Sequence, residues 1–268
     1  MTTVDRAGTR WFRRATNVPD PRMRLVCLPH AGGSASFFHS WAGAFGDDVE
    51  VLATRYPGRQ DRIAEPCFES MAPLADAVAG ALLPLLDKPL ALFGHSMGAS
   101  LAYEVALRLE NLHGYRPAGL YVSSRAAPHR ISPGDVYLRG DEAIINEVRR
   151  LGGSDAEVLD DPDLRELVMP ALRSDFQIVG TYRAPSAISV QCPIFAYVGD
   201  REPNLAPADM QAWSEVTTGG FQLRVMPGDH FYLVPQRDAL IRDLADHFRP
   251  AGGIFLPVEE SAKDIAAR

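Results

Sequence analysis

Short strand-like runs alternate with helical patterns along most of this chain, and this alternation is the strongest constraint on its fold. The runs cover residues 24–28, 49–54, 90–93, 119–123, 194–198 and 221–225. Helical patterns occupy 69–86, 97–112, about 206–216 and 238–248. Continuously apolar strands separated by helices are typical of a parallel sheet that is covered on both faces. The sequence therefore predicts an α/β fold with a mostly parallel central sheet flanked by helices.

The alternation is interrupted once, by a helical segment at roughly residues 125–185. This segment contains helical patterns at 141–151 and 162–180 and no convincing strand, and strand patterns resume after it. Such an insertion is typical of a lid over a site, although two ordinary crossover helices would leave a similar pattern. We expect one domain over residues 1–268, with a polar arm of about two dozen residues before the core. Residues 250–268, which begin with a proline and include two glycines near their start, are expected to form a loose tail.

Composition and charge exclude several classes of function. The chain is 46% hydrophobic and 23% charged, as expected for a globular protein. It carries 27 Lys and Arg against 34 Asp and Glu, a net charge of −7, which argues against a nucleic-acid or anionic-membrane partner. Cys27, Cys67 and Cys192 are odd in number and lie outside any metal-binding spacing. With no signal-peptide pattern at the start, these features predict a cytoplasmic protein.

The motif with the clearest chemistry is Gly-His-Ser-Met-Gly at residues 94–98. It follows a short strand and opens a helix, which is the context that a nucleophile elbow requires. The tight turn projects the Ser96 hydroxyl away from the sheet, and the helix N-terminus behind it favours developing negative charge. Ser96 is therefore the candidate nucleophile, the alternative being a structural glycine turn.

A serine nucleophile needs a general base, and the base needs an acid to orient it. In folds with this elbow, the acid and then the histidine follow the serine along the chain. His230 lies in a loop after the last strand pattern and is the predicted base. Asp200 ends the strand run at 195–200 and is the predicted acid. Asp229 is its competitor, although side chains of adjacent residues diverge.

The loop Pro-His-Ala-Gly-Gly-Ser at residues 29–34 is the candidate for an oxyanion site. The predicted donors to the oxyanion are the backbone N–H of Met97, directly after the nucleophile, and the backbone N–H of Ala31 in this loop. A glycine-rich turn without a chemical role is the alternative. The loop does not match a phosphate-binding motif, and neither a nucleotide nor a metal ion is predicted.

Six motifs in a fixed order bear a family resemblance. They are Pro-His-Ala-Gly-Gly-Ser at 29–34, Tyr-Pro-Gly-Arg at 56–59, Gly-His-Ser-Met-Gly-Ala at 94–99, Leu-Arg-Ser-Asp-Phe at 172–176, Gly-Asp at 199–200 and Gly-Asp-His-Phe at 228–231. In this combination the chain resembles the type II (external, stand-alone) thioesterases that accompany polyketide synthases and nonribosomal peptide synthetases. The resemblance covers roughly residues 22–248 and implies an α/β-hydrolase fold with a helical lid.

The resemblance also implies a substrate and a partner. Members of this family hydrolyse acyl groups held as thioesters on the phosphopantetheine arm of carrier proteins, and so remove aberrant or stalled chains. By this likeness Ser96, Asp200 and His230 form the catalytic triad, and Ala31 and Met97 supply the oxyanion hole. The expected partners are acyl or peptidyl carrier protein domains, and no cofactor is expected.

Docking to such a partner requires a local exception to the charge of the chain, because carrier proteins are typically acidic as well. Arg125, His129 and Arg130 at the start of the lid segment form a candidate basic rim, the alternative being a solvated surface. Three other functions remain open from the sequence: a small-molecule carboxylesterase, a chain-releasing cyclase or acyltransferase, and a binding module without catalytic activity.

Overall fold

The computed structural model describes residues 10–14, 18–152, 158–184 and 186–249. Within these ranges seven strands form one sheet in the order β1-β3-β2-β4-β5-β6-β7. Strands β2 to β7 run parallel, and β1 is antiparallel to β3. The strand bounds are β1 Phe12–Arg14, β2 Met23–Leu28, β3 Val49–Thr54, β4 Leu90–His95, β5 Gly119–Ser123, β6 Ile194–Gly199 and β7 Phe221–Met226. The predicted α/β class is confirmed.

Helices cover both faces of this sheet. The α-helices are α1 Met71–Leu82, α2 Met97–His113, α3 Asp141–Leu151, α4 Pro162–Thr181, α5 Pro207–Met210 and α6 Arg237–Phe248. Alternate strand residues point to opposite faces, so Val26 packs in one core with α1 and α2. Leu25 packs in the other core, with α6 and the 3-10 segment Ala35–Trp41. In the described ranges, no helix is both long and apolar enough to cross a membrane.

Strand β1 corrects the expectation of a polar arm before the core. Residues Phe12–Arg14 pair with β3, with Phe12 opposite Thr54, and extend the sheet by one edge strand. A strand of three residues is too short to show periodicity, and Phe12 is its one buried side chain, at 3% exposure. The helix expected near 206–216 is also different, because only α5 is α-helical and Gln211–Val216 is a 3-10 helix.

The two helices α3 and α4 lie between β5 and β6 in the chain and have a small core of their own. This third cluster contains Ile144, Ile145, Leu159, Met169, Leu172 and Phe176. Asp161 caps α4 by accepting the N–H groups of Asp163 and Leu164 at 2.9 and 3.1 Å, and Pro162 occupies the first helical position. A separate core favours the interpretation of these helices as a lid over simple crossover helices. The expected tail at 250–268 lies outside the described residues.

Candidate active site

The nucleophile elbow is a strained turn between β4 and α2. Ser96 has φ 54° and ψ −119°, a conformation that non-glycine residues adopt rarely and that is found at functional sites. The turn leaves no space for side chains at its flanks. A Cβ on Gly94 would overlap the Gly98 carbonyl, and a Cβ on Gly98 would overlap the Leu28 carbonyl. The two glycines of the motif are therefore sterically required, and they hold Ser96 at the carboxyl end of the sheet.

His230 is paired with a buried glutamate. Its Nδ1 lies 2.9 Å from both carboxylate oxygens of Glu202, and the two side chains are 7% and 1% exposed. A carboxylate at Nδ1 selects the tautomer with the proton on that nitrogen and leaves Nε2 free to accept a proton. His230 and Ser96 line the same two cavities, so the free nitrogen and the hydroxyl open onto a common space.

The position of Asp200 corrects the sequence prediction of the acid. Its side chain is 47% exposed and contacts Arg201 at 3.3 Å, and its Oδ1 accepts the Gly228 N–H at 2.8 Å. The chain turns after β6, with the Glu202 N–H donating to the Gly199 carbonyl, and this turn brings the longer glutamate side chain back to the histidine. Asp200 thus braces the loop that carries His230, whereas Glu202 contacts its imidazole.

One feature of the sequence points to Glu202. Glu202 is the next carboxylate after Asp200 and precedes Pro203 in the same loop. Asp229, the competitor considered from the sequence, accepts the Phe231 N–H at 3.0 Å. Its carboxylate is therefore used in its own turn, as the divergence of neighbouring side chains predicts.

Two further imidazoles lie beside His230 and remain neutral. The ring of His95 lies 5.0 Å from that of His230, and its Nδ1 is 2.9 Å from Ser123 Oγ. The ring of His30 packs 4.8 Å from Phe231. Burial, together with the nearby His230, lowers the pKa of His95 well below its usual value and that of His30 to about 3. Both rings are therefore uncharged at neutral pH.

The two predicted oxyanion donors are backbone N–H groups without a hydrogen-bond acceptor among the described residues. Met97 is the first residue of α2, so its N–H has no acceptor within the helix. The N–H of Ala31 has no acceptor in the part of the chain that the structure describes. Ala31 lines both cavities next to Ser96. These two N–H groups remain the candidates for an oxyanion hole.

A buried ion pair holds the loop that contains Ala31. Arg59 donates to the two carboxylate oxygens of Asp175 at 2.7 and 2.8 Å, and the side chains are 10% and 3% exposed. Asp175 also accepts the Gly32 N–H at 2.7 Å, and Arg59 donates to the Gly33 carbonyl at 3.0 Å. The Tyr-Pro-Gly-Arg turn and the Leu-Arg-Ser-Asp-Phe segment of α4 thus meet at the candidate oxyanion loop.

Two cavities meet at Ser96. The apolar cavity, of about 760 Å³, is lined by aromatic and lid side chains that include Phe37, Trp41, Leu159, Leu167, Val168 and Leu172. The second cavity, of about 800 Å³, is the more polar of the two and is called the polar cavity below. Its lining side chains include Arg125, Arg130, Ser132, Glu147, Asn204 and Gln211. Ala31, Ser96, Leu151, Phe176 and His230 belong to both. A substrate with an apolar and a polar end would therefore have one end in each cavity, with Ser96 lining both.

Comparison with known proteins identifies the family of this chain. A family model described as a thioesterase domain matches residues 23–248. The chain belongs to the thioesterase family. Thioesterase PikA5 from Streptomyces venezuelae is 46% identical over 238 residues, which cover 88% of this chain and 85% of the relative.

Solved structures of relatives agree with the family and the α/β-hydrolase fold. The type II thioesterase BorB from the borrelidin biosynthetic cluster superposes with a TM-score of 0.83 at 42% identity, covering 89% of this chain and 98% of that one. The RedJ thioesterase from the prodiginine pathway of Streptomyces coelicolor has a TM-score of 0.80 at 38% identity, covering 86% and 87%. This thioesterase is thus a hydrolase of the fold that the elbow motif predicts.

The candidate basic rim of this thioesterase is largely neutralised. Arg130 and His129 both contact Glu215, at 3.1 and 3.0 Å, and Arg125 turns inward to Ser100. The rim therefore does not form a free positive patch. Among the described residues, no group of three or more His, Cys, Asp and Glu side chains is arranged to hold a metal ion.

Proposed function

We propose that this thioesterase hydrolyses acyl groups from the phosphopantetheine arm of carrier proteins in polyketide or nonribosomal peptide biosynthesis, and so removes aberrant or stalled chains. Its similarity to BorB, a type II thioesterase from a biosynthetic cluster, supports this substrate class. The observation that carries the proposal is the position of Ser96 and His230 at the junction of an apolar and a polar cavity. An acyl thioester on a polar arm has the same two-sided chemistry.

In the proposed mechanism Ser96 is the nucleophile and His230 the general base. His230 Nε2 takes the hydroxyl proton as Ser96 Oγ attacks the thioester carbonyl carbon. Glu202, rather than Asp200, holds the imidazole and stabilises the imidazolium that forms. The N–H groups of Ala31 and Met97 donate to the oxyanion of the tetrahedral intermediate.

Collapse of this intermediate breaks the carbon–sulfur bond. The pantetheine thiol leaves with the proton from His230, and the acyl group remains as an ester on Ser96. A water molecule then attacks this ester while His230 takes its proton. His230 returns the proton to Ser96 Oγ as the carbon–oxygen bond of the ester breaks, which releases the carboxylic acid and regenerates the serine hydroxyl. The apolar cavity would hold the acyl chain during both steps, and the polar cavity would hold the arm.

The test compares one acyl group on three carriers: a phosphopantetheinylated carrier protein, free pantetheine and an alcohol as an oxygen ester. We expect the wild type to release free acid fastest from the carrier protein and Ser96→Ala to release none. Faster hydrolysis of the oxygen ester would support a carboxylesterase instead. A cyclised or amine-trapped product would indicate an acyltransferase, and absence of both turnover and Ser96 labelling by a fluorophosphonate would indicate a binding module.

A further inference from the structure

Arg125 places a guanidinium in the polar cavity, close to the nucleophile. It follows β5, and Ser124 before it has φ 49°, which turns the chain at the carboxyl end of the sheet. The Arg125 carbonyl accepts the Trp213 indole N–H at 2.7 Å, and its Nε donates to Ser100 Oγ at 3.1 Å. The backbone and one end of the guanidinium are thus held by the protein.

The other end of this guanidinium has no anionic partner. Its Nη groups have no hydrogen-bond acceptor among the residues that the structure describes. Burial lowers the pKa of Arg125 to about 10, so that it remains charged at neutral pH. Arg125 is partly buried, and its Nη groups open into the cavity. A charged group that lines a cleft without an anionic partner is a candidate ligand contact.

The carboxylates that line the same cavity are all engaged elsewhere. Glu202 contacts His230, Glu215 contacts Arg130 and His129, Glu147 contacts Arg150, and Asp209 accepts the Ala206 N–H. The free Nη groups of Arg125 therefore face an acceptor that must come from outside the protein.

The distance from Ser96 limits what this acceptor is. Ser100, which holds Arg125, lies four residues after Ser96 on α2, a rise of about 6 Å. In an extended pantetheine thioester, five bonds separate the attacked carbon from the nearer amide carbonyl carbon, which is roughly 6 Å from typical bond lengths. The terminal phosphate of the arm lies much farther from the attacked carbon. The nearer amide, rather than the phosphate, is therefore the acceptor of the arm whose distance from the attacked carbon is comparable to this one turn of α2.

We propose that Arg125 is a specificity-determining residue that donates a hydrogen bond to the carbonyl oxygen of the pantetheine amide nearest the thioester. This contact rests on the proposed function and on placement of the arm in the polar cavity. It favours thioesters of amide-bearing thiols over thioesters of simple thiols, and it requires no acidic or basic group on the acyl chain.

The test uses one saturated acyl group on three thiols: pantetheine, N-acetylcysteamine, which keeps only the nearer amide, and ethanethiol, which has none. Arg125→Met removes the donors but keeps much of the volume, and Arg125→Lys restores a cation. Arg130→Met is the matched control, because Arg130 lines the same cavity but is paired with Glu215. We expect Arg125→Met to lose about tenfold in kcat/KM on the first two thiols, as for a hydrogen bond from a charged donor. On the ethanethiol thioester, we expect it to match the wild type.

Arg125→Lys is expected to recover part of the loss, and Arg130→Met to leave the ratio between the thiols unchanged. Equal loss on all three thiols would overturn the proposal, as would loss on pantetheine alone, which would assign the contact to the outer part of the arm. Failure of the wild type to hydrolyse any of the thioesters would refute the proposed function instead. A melting temperature of Arg125→Met at or above that of the wild type excludes misfolding of the variant.

Discussion

Replacement of the buried glutamate gives the sharpest test of the active-site geometry. Glu202→Gln removes the negative charge that lies 2.9 Å from His230 Nδ1 in a site where the side chain is 1% exposed. The amide group of glutamine can present N–H donors to Nδ1, which favours the tautomer that protonates Nε2 and blocks the base. A comparable acid-to-amide change in a serine protease triad lowers kcat by about 10⁴, or about 5.4 kcal/mol in the barrier.

Asp200→Asn is the matched control, two residues away in the same loop. Asp200 is 47% exposed and accepts one backbone N–H, that of Gly228, which the asparagine oxygen can still accept. We expect kcat to change by less than about fivefold, since the hydrogen bond is kept and its weakening by about 1 kcal/mol would correspond to about that factor. Glu202→Asp, which shortens the side chain by one methylene, should lose about 10² because the contact with His230 lengthens.

Single-turnover hydrolysis of an acyl-pantetheine thioester, with the rate of Ser96 labelling by a fluorophosphonate, measures both effects. The expected order of rates is wild type, Asp200→Asn, Glu202→Asp and then Glu202→Gln. The reasoning fails if Asp200→Asn loses as much activity as Glu202→Gln, or if Glu202→Gln keeps a tenth of the wild-type rate. Circular dichroism of each variant separates loss of catalysis from loss of fold.

Three other perturbations test neighbouring parts of the structure. Asp175→Asn leaves Arg59 buried without a counter-charge, so it should lower the free energy of unfolding in urea by about 3–5 kcal/mol and also lower kcat. Asp141→Asn, which breaks the exposed pair with Arg173, should lower the free energy of unfolding by less than about 1 kcal/mol. Equal losses would contradict the role of the buried pair. Gly98→Ala places a Cβ against a backbone carbonyl and should abolish fluorophosphonate labelling and cost roughly 3 kcal/mol, so a labelled and stable variant would show that the elbow tolerates a side chain. The folded-state pKa of His30 is lowered to about 3, so the unfolded chain binds a proton at this histidine first as the pH falls below about 6.5. The free energy of unfolding should therefore fall between pH 6.5 and pH 3 by up to about 1.4 kcal/mol per pH unit. His30→Phe should reduce this slope, and an unchanged slope would refute the assignment.

Local sequence patterns predicted most of the fold. Strands β3 and β5 and helix α3 have the bounds that apolar runs and helical periodicity indicate, because each is long enough for its buried face to leave a regular pattern. The sequence did not predict strand β1, because its three residues form a strand by pairing with β3 and are too few to show periodicity. A sequence pattern carries information about an element's buried face, and much less about a short edge strand.

The active site divides in the same way. Ser96, with the glycines around it, was determined by the sequence, since the steric demands of the elbow act over five consecutive residues. His230 followed from its place after the last parallel strand. The acid depended on how the loop after β6 folds back and on side-chain length, so that Glu202 rather than the strand-terminal Asp200 reaches the imidazole.

Contacts between distant segments were decided by the tertiary structure alone. Arg59 and Asp175 are 116 positions apart, and nothing local to either residue indicates that they pair beneath the Gly32 N–H. Arg125 likewise resembled a surface cation in the sequence, and only the packing of β5 against α2 turns it into the cavity beside the nucleophile. Short-range sterics and periodicity are written in neighbouring residues, whereas the partner of a charge depends on which parts of the chain meet after folding.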